Sequence, residues 1–170
     1  MDSFIGLVQL GDTISATIVT RTTAGVPADA VSAPTFRVYA SGAVILTGSA
    51  SLKDSGTITG ATNASPIVVT SQGHGLTVGT RVTVAGVGGN TAANGTFQVT
   101  AVTSNTFTLG GSTGNSAYTS GGSWHASGLY KMDIACTGGN GFDVGQNYAV
   151  LVSYTVGSDI FGEVLSLQVA

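Results

Sequence analysis

Charged side chains are scarce in this sequence. They make up 8% of its 170 residues, against about 25% in ordinary globular proteins. The deficit does not indicate disorder, which requires low hydrophobicity, because 42% of the residues are hydrophobic. The polar surface must therefore consist of Ser, Thr, Asn, Gln and Gly, and such a surface repels neighbouring molecules weakly. We interpret it as a surface for contact or for display in a dense array. The alternative is a secreted, Thr-rich β-protein that is simply neutral.

The sequence also shows no clustering of basic residues, no long apolar run and no signal-peptide pattern at its start. Its Lys and Arg residues are scattered, so phosphate neutralisation is not favoured and we expect no nucleic-acid partner. No apolar run approaches the ~20 residues of a membrane span, so we expect no membrane partner. The start, Met1-Asp2-Ser3-Phe4, has neither a basic region nor an apolar core, which predicts synthesis in a cytoplasm. The scattered basic residues are Arg21, Arg37, Lys53, Arg81 and Lys131.

Cysteine and helix-favouring residues are equally rare. The single cysteine, Cys136, excludes an intrachain disulfide framework. It lies on the apolar face of a predicted strand and is expected to be a small buried hydrophobe. There is one glutamate, Glu163, and few lysines, whereas β-branched residues and glycines are abundant. These preferences predict an all-β protein.

The stretch from about residue 57 to residue 124 has several short alternating runs separated by turn signals. Period-two alternation predicts half-buried strands, and Asn94-Gly95 and Ser104-Asn105 are turn dipeptides. Five or six short strands in under seventy residues indicate a small barrel. The predicted inward faces are Val82 with Val84, Phe97 with Val99 and Ala101, and Phe107 with Leu109.

The segments on either side of this stretch also alternate. About seven strands in roughly one hundred residues are typical of a Greek-key sandwich of immunoglobulin-like type. We therefore predict an all-β fold in which residues 1–55 and 125–170 form a discontinuous immunoglobulin-like β-sandwich and residues 57–124 form a small inserted β-barrel. Strands are expected at 4–10, 13–22, 34–39, 43–52, 128–136, 147–156 and 160–169. The expected buried face of the fifth of these is Tyr130, Met132, Ile134 and Cys136.

The central stretch resembles a β-module that is common in tailed-phage virion proteins. That module is often likened to the first catalytic-cysteine half-domain of ubiquitin-activating enzymes. The resemblance implies a β-fold and no chemistry, because the stretch contains no cysteine. The residues that carry it are Pro66–Thr70, Gly73–Leu76, Gly79–Val82, Asn94–Phe97 and Asn105–Leu109.

The flanking segments are similar to immunoglobulin-like modules of phage head and tail proteins. This resemblance depends on the order of turns and aromatic residues, and it implies the same virion setting as the central stretch. It is carried by an early Gly-Asp-Thr, by Ala33–Tyr39, by Gly128–Asp133 and by Gly141–Tyr148.

Two patterns could indicate chemistry. Gly110–Gly114 matches the G-x-S-x-G pattern, but a nucleophile elbow needs a helix after it, and a second Gly/Ser-rich loop follows instead. Neither His74 nor His125 has metal-ligand spacing with a cysteine or a carboxylate cluster. We expect His74 to hydrogen-bond the backbone at its turn and His125 to pack at the junction between the domains.

The remaining candidates are also better explained by structure than by catalysis. Asp133, Asp143, Asp159 and Glu163 do not form a calcium loop, and Asn63 and Asn94 match glycosylation sequons by pattern alone. Seven aromatic residues could line a sugar-binding surface, but such residues are more often core or interface residues. We assign no catalytic, cofactor-binding or metal-ligating residue. The seven aromatics are Tyr118, Trp124, Tyr130, Phe142, Tyr148, Tyr154 and Phe161.

Together these features predict a non-enzymatic structural protein of a tailed-phage virion. It would be a capsid decoration protein or another head accessory subunit, multi-copy and homo-oligomeric, in contact with the major capsid protein or with neighbouring tail subunits. One alternative is a tail or tail-tip component with an adhesin-like, glycan-binding module. An enzyme fragment is the third hypothesis.

Overall fold

The computed structural model describes residues 3–170, with side chains from residue 5 onward. Strands make up 53% of the chain, and the helical segments in the described part are single 3-10 turns at Thr91–Ala93 and Gly138–Asn140. The predicted all-β fold is confirmed. Met1 and Asp2, the first residues of the predicted sandwich, lie outside the described residues. No helix among the described residues is both long enough and apolar enough to cross a bilayer.

The chain divides into two compact units. We call residues 1–51 with 128–170 the outer unit, and residues 52–127 the inserted unit. The strands in chain order are β1 (Ser3–Val8), β2 (Thr13–Val19), β3 (Thr35–Ala40), β4 (Ala43–Ser49), β5 (Ser51–Leu52), β6 (Ser55–Thr57), β7 (Gly60–Ala61), β8 (Ile67–Thr70), β9 (Arg81–Ala85), β10 (Gly95–Val102), β11 (Thr106–Leu109), β12 (Ser123–Ala126), β13 (Leu129–Ala135), β14 (Asn147–Val156) and β15 (Asp159–Val169).

The outer unit has the strand order of an immunoglobulin-like sandwich. One sheet runs β1-β15-β14-β3-β4 and the other β2-β13-β5. With β2 taken as strand B, the strands β3, β5, β13, β14 and β15 correspond to C, D, E, F and G. The first sheet then contains C, F and G and the second contains B, E and D, as in that fold. Strand β4 extends the first sheet, and β1 pairs in parallel with β15. The inserted unit occupies the connection between the D and E strands.

Alternating side chains from both sheets fill the core of the outer unit. Ala16 and Ile18 of β2 are buried, as are Phe36 and Val38 of β3. The predicted buried face of β13 is confirmed: Tyr130 is 5% exposed, and Met132, Ile134 and Cys136 are fully buried. The period of two that is visible in the sequence is therefore the period of burial in these strands.

One predicted strand is in fact two. The sequence predicts a continuous strand over residues 43–52, but β4 belongs to the first sheet and β5 to the second. Between them Ala50 is buried, and its backbone N–H donates to the Pro34 carbonyl at 2.7 Å. The chain crosses between the sheets at this residue, and a local hydrophobic pattern does not record such a crossing.

The inserted unit has the sheet order β6-β12-β9-β10-β11-β8-β7. Its two outermost strands, β6 and β7, belong to one extended stretch of chain. Within that stretch Ile58 N–H donates to the Gly122 carbonyl at 2.9 Å, and Thr59 N–H donates to the Thr70 carbonyl at 2.9 Å. The same stretch therefore pairs with both ends of the sheet and closes it into a small barrel.

The barrel core confirms most of the predicted faces. Val82 is fully buried and Val84 is 2% exposed, while Val99, Phe107 and Leu109 are fully buried. The face predicted on β10 is only partly correct, because Phe97 is half-buried and Ala101 is exposed. The register between β10 and β11 shifts between Val99 and Val102. This irregularity breaks the alternation after Val99.

Candidate functional site

His74 uses both ring nitrogens within the inserted unit. Leu76 N–H donates to Nδ1 at 3.0 Å, and Nε2 lies 3.1 Å from the Thr106 carbonyl oxygen. Because a carbonyl oxygen only accepts, Nε2 carries the proton and Nδ1 carries the lone pair. The ring is 8% exposed. The predicted backbone-bonding role of His74 is confirmed, and neither nitrogen is available as a metal ligand in this arrangement.

Two aromatic rings, those of Phe107 and Trp124, lie next to this histidine. His74 and Phe107 have ring centroids 5.3 Å apart, and Phe107 and Trp124 have centroids 5.7 Å apart, both in edge-to-face geometry. Such geometry matches the positive edge of one ring to the negative face of the next. The indole N–H of Trp124 donates to the Ser71 hydroxyl at 2.8 Å. The polar atoms of this cluster are thus hydrogen-bonded inside the barrel.

The serine of the G-x-S-x-G segment is buried and hydrogen-bonded to the backbone of the barrel. Ser112 is 5% exposed, its hydroxyl donates to the Leu109 carbonyl at 2.6 Å, and the same oxygen accepts the Ile67 N–H at 2.9 Å. Strand β11 precedes the segment, but a loop rather than a helix follows it. A nucleophilic serine needs an adjacent base and an exposed oxygen, and the Ser112 oxygen instead ties two backbone groups together.

The carboxylates named from the sequence are not gathered at one place. Asp133 on β13 accepts from the Ser15 hydroxyl and pairs with Lys131 at 3.0 Å. These contacts, the Ser15 hydrogen bond above all, lower the pKa of the Asp133 carboxyl. Glu163 lies on β15 in the other sheet and accepts from the Tyr154 hydroxyl at 3.0 Å. Among residues 3–170 no three His, Cys, Asp or Glu side chains are placed to share a metal ion.

Asp143 and Asp159 lie apart from those two carboxylates. The Asp143 backbone N–H donates to the Tyr148 hydroxyl at 2.7 Å, whereas Asp159 opens β15 opposite Val156. Cys136 is fully buried, and that burial raises the pKa of its thiol. A reactive cysteine requires an exposed, stabilised thiolate, so Cys136 has the environment of a packing residue, as the sequence predicts.

The aromatic residues considered for sugar binding are mostly internal. Trp124, Tyr130, Phe142, Tyr148 and Tyr154 are between 0 and 7% exposed, and they therefore do not form an exposed platform. Tyr118 and Phe161 are half-buried. Tyr118 donates to the Ile58 carbonyl at 3.2 Å, and Phe161 stacks on Tyr154 with centroids 5.3 Å apart.

The sequon residue Asn94 has a structural contact that the motif does not suggest. Its side chain accepts the Val87 N–H at 2.8 Å and donates to the Val87 carbonyl at 3.0 Å. Asn63, the other sequon residue, is exposed. His125 is half-buried on β12 of the inserted unit, opposite Ser55 on one side and Thr83 on the other.

Sequence reasoning missed Asn90, a fully buried polar anchor of the barrel. Its side chain donates to the Thr62 carbonyl at 2.8 Å and accepts the Asn115 N–H at 3.2 Å. An asparagine after two glycines indicates only a turn. The three segments that it joins are distant in the chain, so no local signal could have identified this role.

The geometry defines the inserted unit as a small closed β-barrel. The side chains of His74, Ser112 and Asn90 are hydrogen-bonded to its own backbone. Residues 65–126 match the family model described as the ubiquitin-activating enzyme E1 FCCH domain. The match covers about a third of the chain and includes β8–β12. It supports the predicted likeness of the central stretch to that β-module. A comparison with curated proteins found no match to the chain.

Proposed function

We propose that this protein is a non-enzymatic structural subunit of a tailed-phage virion, made in the host cytoplasm and assembled in many copies. Its most suitable place is the head, as a capsid decoration protein or another accessory subunit bound to the major capsid protein. It would act through protein–protein contacts with the particle and would catalyse no reaction. The inserted barrel would be an additional module displayed on the particle.

One observation carries this proposal: the hydrogen-bonding side chains that could do chemistry are engaged with the protein's own fold, while the surface is nearly uncharged. His74, Ser112 and Asn90 all bond backbone groups of the inserted unit. At the same time, only 8% of residues carry charge. Interface centres are depleted in Lys, Glu and Asp relative to the rest of a protein surface, and this chain is depleted in those residues almost everywhere.

Exposed apolar side chains add to this argument. Val31, Val144 and Ile160 are 71, 62 and 82% exposed, and Leu7 and Val78 are more than half exposed as well. Single exposed apolar residues are ordinary. On a surface with few charges, however, they lower the cost of removing water when another subunit docks. Attachment of this kind depends little on ion pairs and should therefore resist salt.

The test is to mix purified protein with particles that lack it and to count bound copies after washing at rising ionic strength. We expect a fixed stoichiometric copy number that survives high salt. Release at moderate salt, or no attachment to heads or tails, would contradict the proposal. Attachment to tails alone would move the protein from the head to the tail.

The glycan-binding alternative predicts a different binding result for the same purified protein. A tail adhesin should bind host cells or surface polysaccharide as a free protein, without a particle. The burial of five of its seven candidate aromatic residues removes the most direct physical basis for that activity. Binding of the free protein to purified host polysaccharide, with no binding to capsids, would favour the alternative.

A further inference from the structure

We propose that the outer face of the five-stranded sheet binds the same face of a second copy of this chain. This inference rests on the multi-copy role in the proposed function and assigns that role to one surface. We call this surface the apolar face, and it is made of six apolar outward side chains that extend from the edge strand β1 to the edge strand β4. They are Leu7, Tyr39, Val44, Ala149, Leu151 and Val164.

The strand register places five of these side chains in two neighbouring rows, and Leu7 lies on the edge strand β1 opposite Gln168. Leu151 on the central strand β14 pairs with Val164 of β15 on one side. Ala149, two residues earlier on β14, pairs with Tyr39 of β3, which pairs in turn with Val44 of β4. None of these side chains packs in the core cluster of the outer unit. Leu7, Val44 and Val164 are 62, 47 and 44% exposed.

The charges of this face favour a second copy over a charged partner. Arg37, which pairs with Leu151, is the only charged residue at the outward positions of β3, β14 and β15. A strongly acidic or basic partner would find one cation and no anion on those three strands. A second copy offers a surface of the same nearly neutral character, and a two-fold interface brings the same patch of both copies together.

The size of the face also suits a dimer. Five strands spaced about 4.8 Å apart, with six to eleven residues each rising about 3.4 Å, give a flat area of roughly 600 Å². Two such faces together reach about 1,200 Å², the lower bound for specific, stable interfaces. Side chains that protrude from the sheet add to this surface area. The outer surface of the whole sheet, with its polar positions included, is therefore large enough for a dimer interface.

A two-fold axis along the central strand β14 keeps the two cations apart. It places β3 of one copy over β15 of the other, so the two Arg37 backbones are offset sideways by two strand spacings, roughly 10 Å. That offset exceeds the screening length of about 8 Å at physiological salt. Arg37 then lies over Val164 of the second copy, and the outward Ser166 hydroxyl, about 7 Å further along β15, can accept a hydrogen bond from its long side chain.

The experiment measures the mass of the purified 170-residue chain by sedimentation equilibrium over a range of concentrations. We expect a dimer, twice the 16.8 kDa of one chain. Leu151→Lys and Val164→Lys should each raise the dimer dissociation constant at least about 100-fold, because each buries a second cation in the row of Arg37, where β3, β14 and β15 offer no anion. Val78→Lys in the inserted unit, where Val78 is 61% exposed, is the matched control and should leave the dimer intact.

Circular dichroism and the thermal midpoint of each variant establish that it is folded, and two variants at separate strands guard against one failing to fold. A wild-type protein that is monomeric at all concentrations overturns the inference. A folded Val164→Lys protein that still dimerises normally does so too. If the protein is monomeric and Leu151→Lys abolishes particle attachment, the face binds a different virion protein, and the proposed function survives. A dimer that ignores particles overturns the proposed function and leaves this inference standing.

Discussion

The indole N–H of Trp124 donates to the Ser71 hydroxyl at 2.8 Å, and both side chains are 2% exposed inside the inserted unit. The two residues are 53 positions apart. Trp124 lies on β12, while Ser71 follows β8 and donates its backbone N–H to the Asn105 carbonyl at 2.9 Å. The bond therefore joins two sides of the barrel, and it gives the largest side chain of that core a partner for its only polar atom.

Removing that partner should destabilise the barrel. Ser71→Ala leaves a buried indole N–H without an acceptor, which should lower the free energy of unfolding by about 1–3 kcal/mol. Urea unfolding followed by tryptophan fluorescence measures this directly, because the chain has one tryptophan. Gln72→Ala, at the exposed neighbouring position, is the control and should change stability by less than about 0.5 kcal/mol. Equal effects of the two changes would contradict the stabilising role of the Ser71 hydroxyl.

The two phenylalanines of the barrel should differ in their contribution to stability. Phe107 is fully buried and contacts both His74 and Trp124, so Phe107→Ala should cost about 3–5 kcal/mol. Phe97 is half-buried, and Phe97→Ala should cost about half as much since less apolar area is lost. Chemical denaturation of both variants provides the comparison. An effect of Phe97→Ala as large as that of Phe107→Ala would show that the β10 register is wrong.

Gly48 on β4 should not tolerate a side chain. A Cβ atom there would lie 2.4 Å from the ring of Phe36, which is buried in the core of the outer unit. Gly48→Ala must displace that ring, and we expect a loss of about 1–3 kcal/mol from overpacking. Gly138→Ala is the matched control because no atom lies within 4 Å of its added Cβ. Thermal unfolding midpoints report both changes, and an unaltered midpoint for Gly48→Ala would refute the close packing of Phe36 against this glycine.

Tyr154 should ionise later than an ordinary tyrosine. Burial, followed by the hydrogen bond to Glu163, raises its pKa from 10.0 to about 12. Since the folded pKa lies above the unfolded one, the stabilising contribution of Tyr154 is complete below pH 10 and is lost as the pH rises toward 12. Burial also raises the pKa of Tyr130, so ultraviolet titration of tyrosinate should show late ionisation from which Tyr154→Phe removes the step near pH 12. If Tyr154→Phe leaves the late step intact, the assignment of that step to Tyr154 is wrong.

The sequence by itself determined the local structure of this protein. Alternation placed Tyr130, Met132 and Ile134 on a buried face, and it did the same for Phe107 and Leu109, because the side chains of a strand point to opposite faces with a period of two. Turn dipeptides located the hairpin at Ser104-Asn105, where Thr103 N–H donates to the Thr106 carbonyl at 2.8 Å. The match of residues 65–126 to a β-module supports the predicted likeness of the inserted stretch.

Only the tertiary structure decided which distant segments meet. The crossing at Ala50, the closure of the barrel through Ile58 and Thr59, and the buried contacts of Asn90 each join residues that are far apart in the chain. A buried polar group must find a partner, but the sequence does not say which of many Ser, Thr and Asn residues supplies it. The partners of Trp124 and His74 are set by the paths of whole strands, and local periodicity contains no information about those paths.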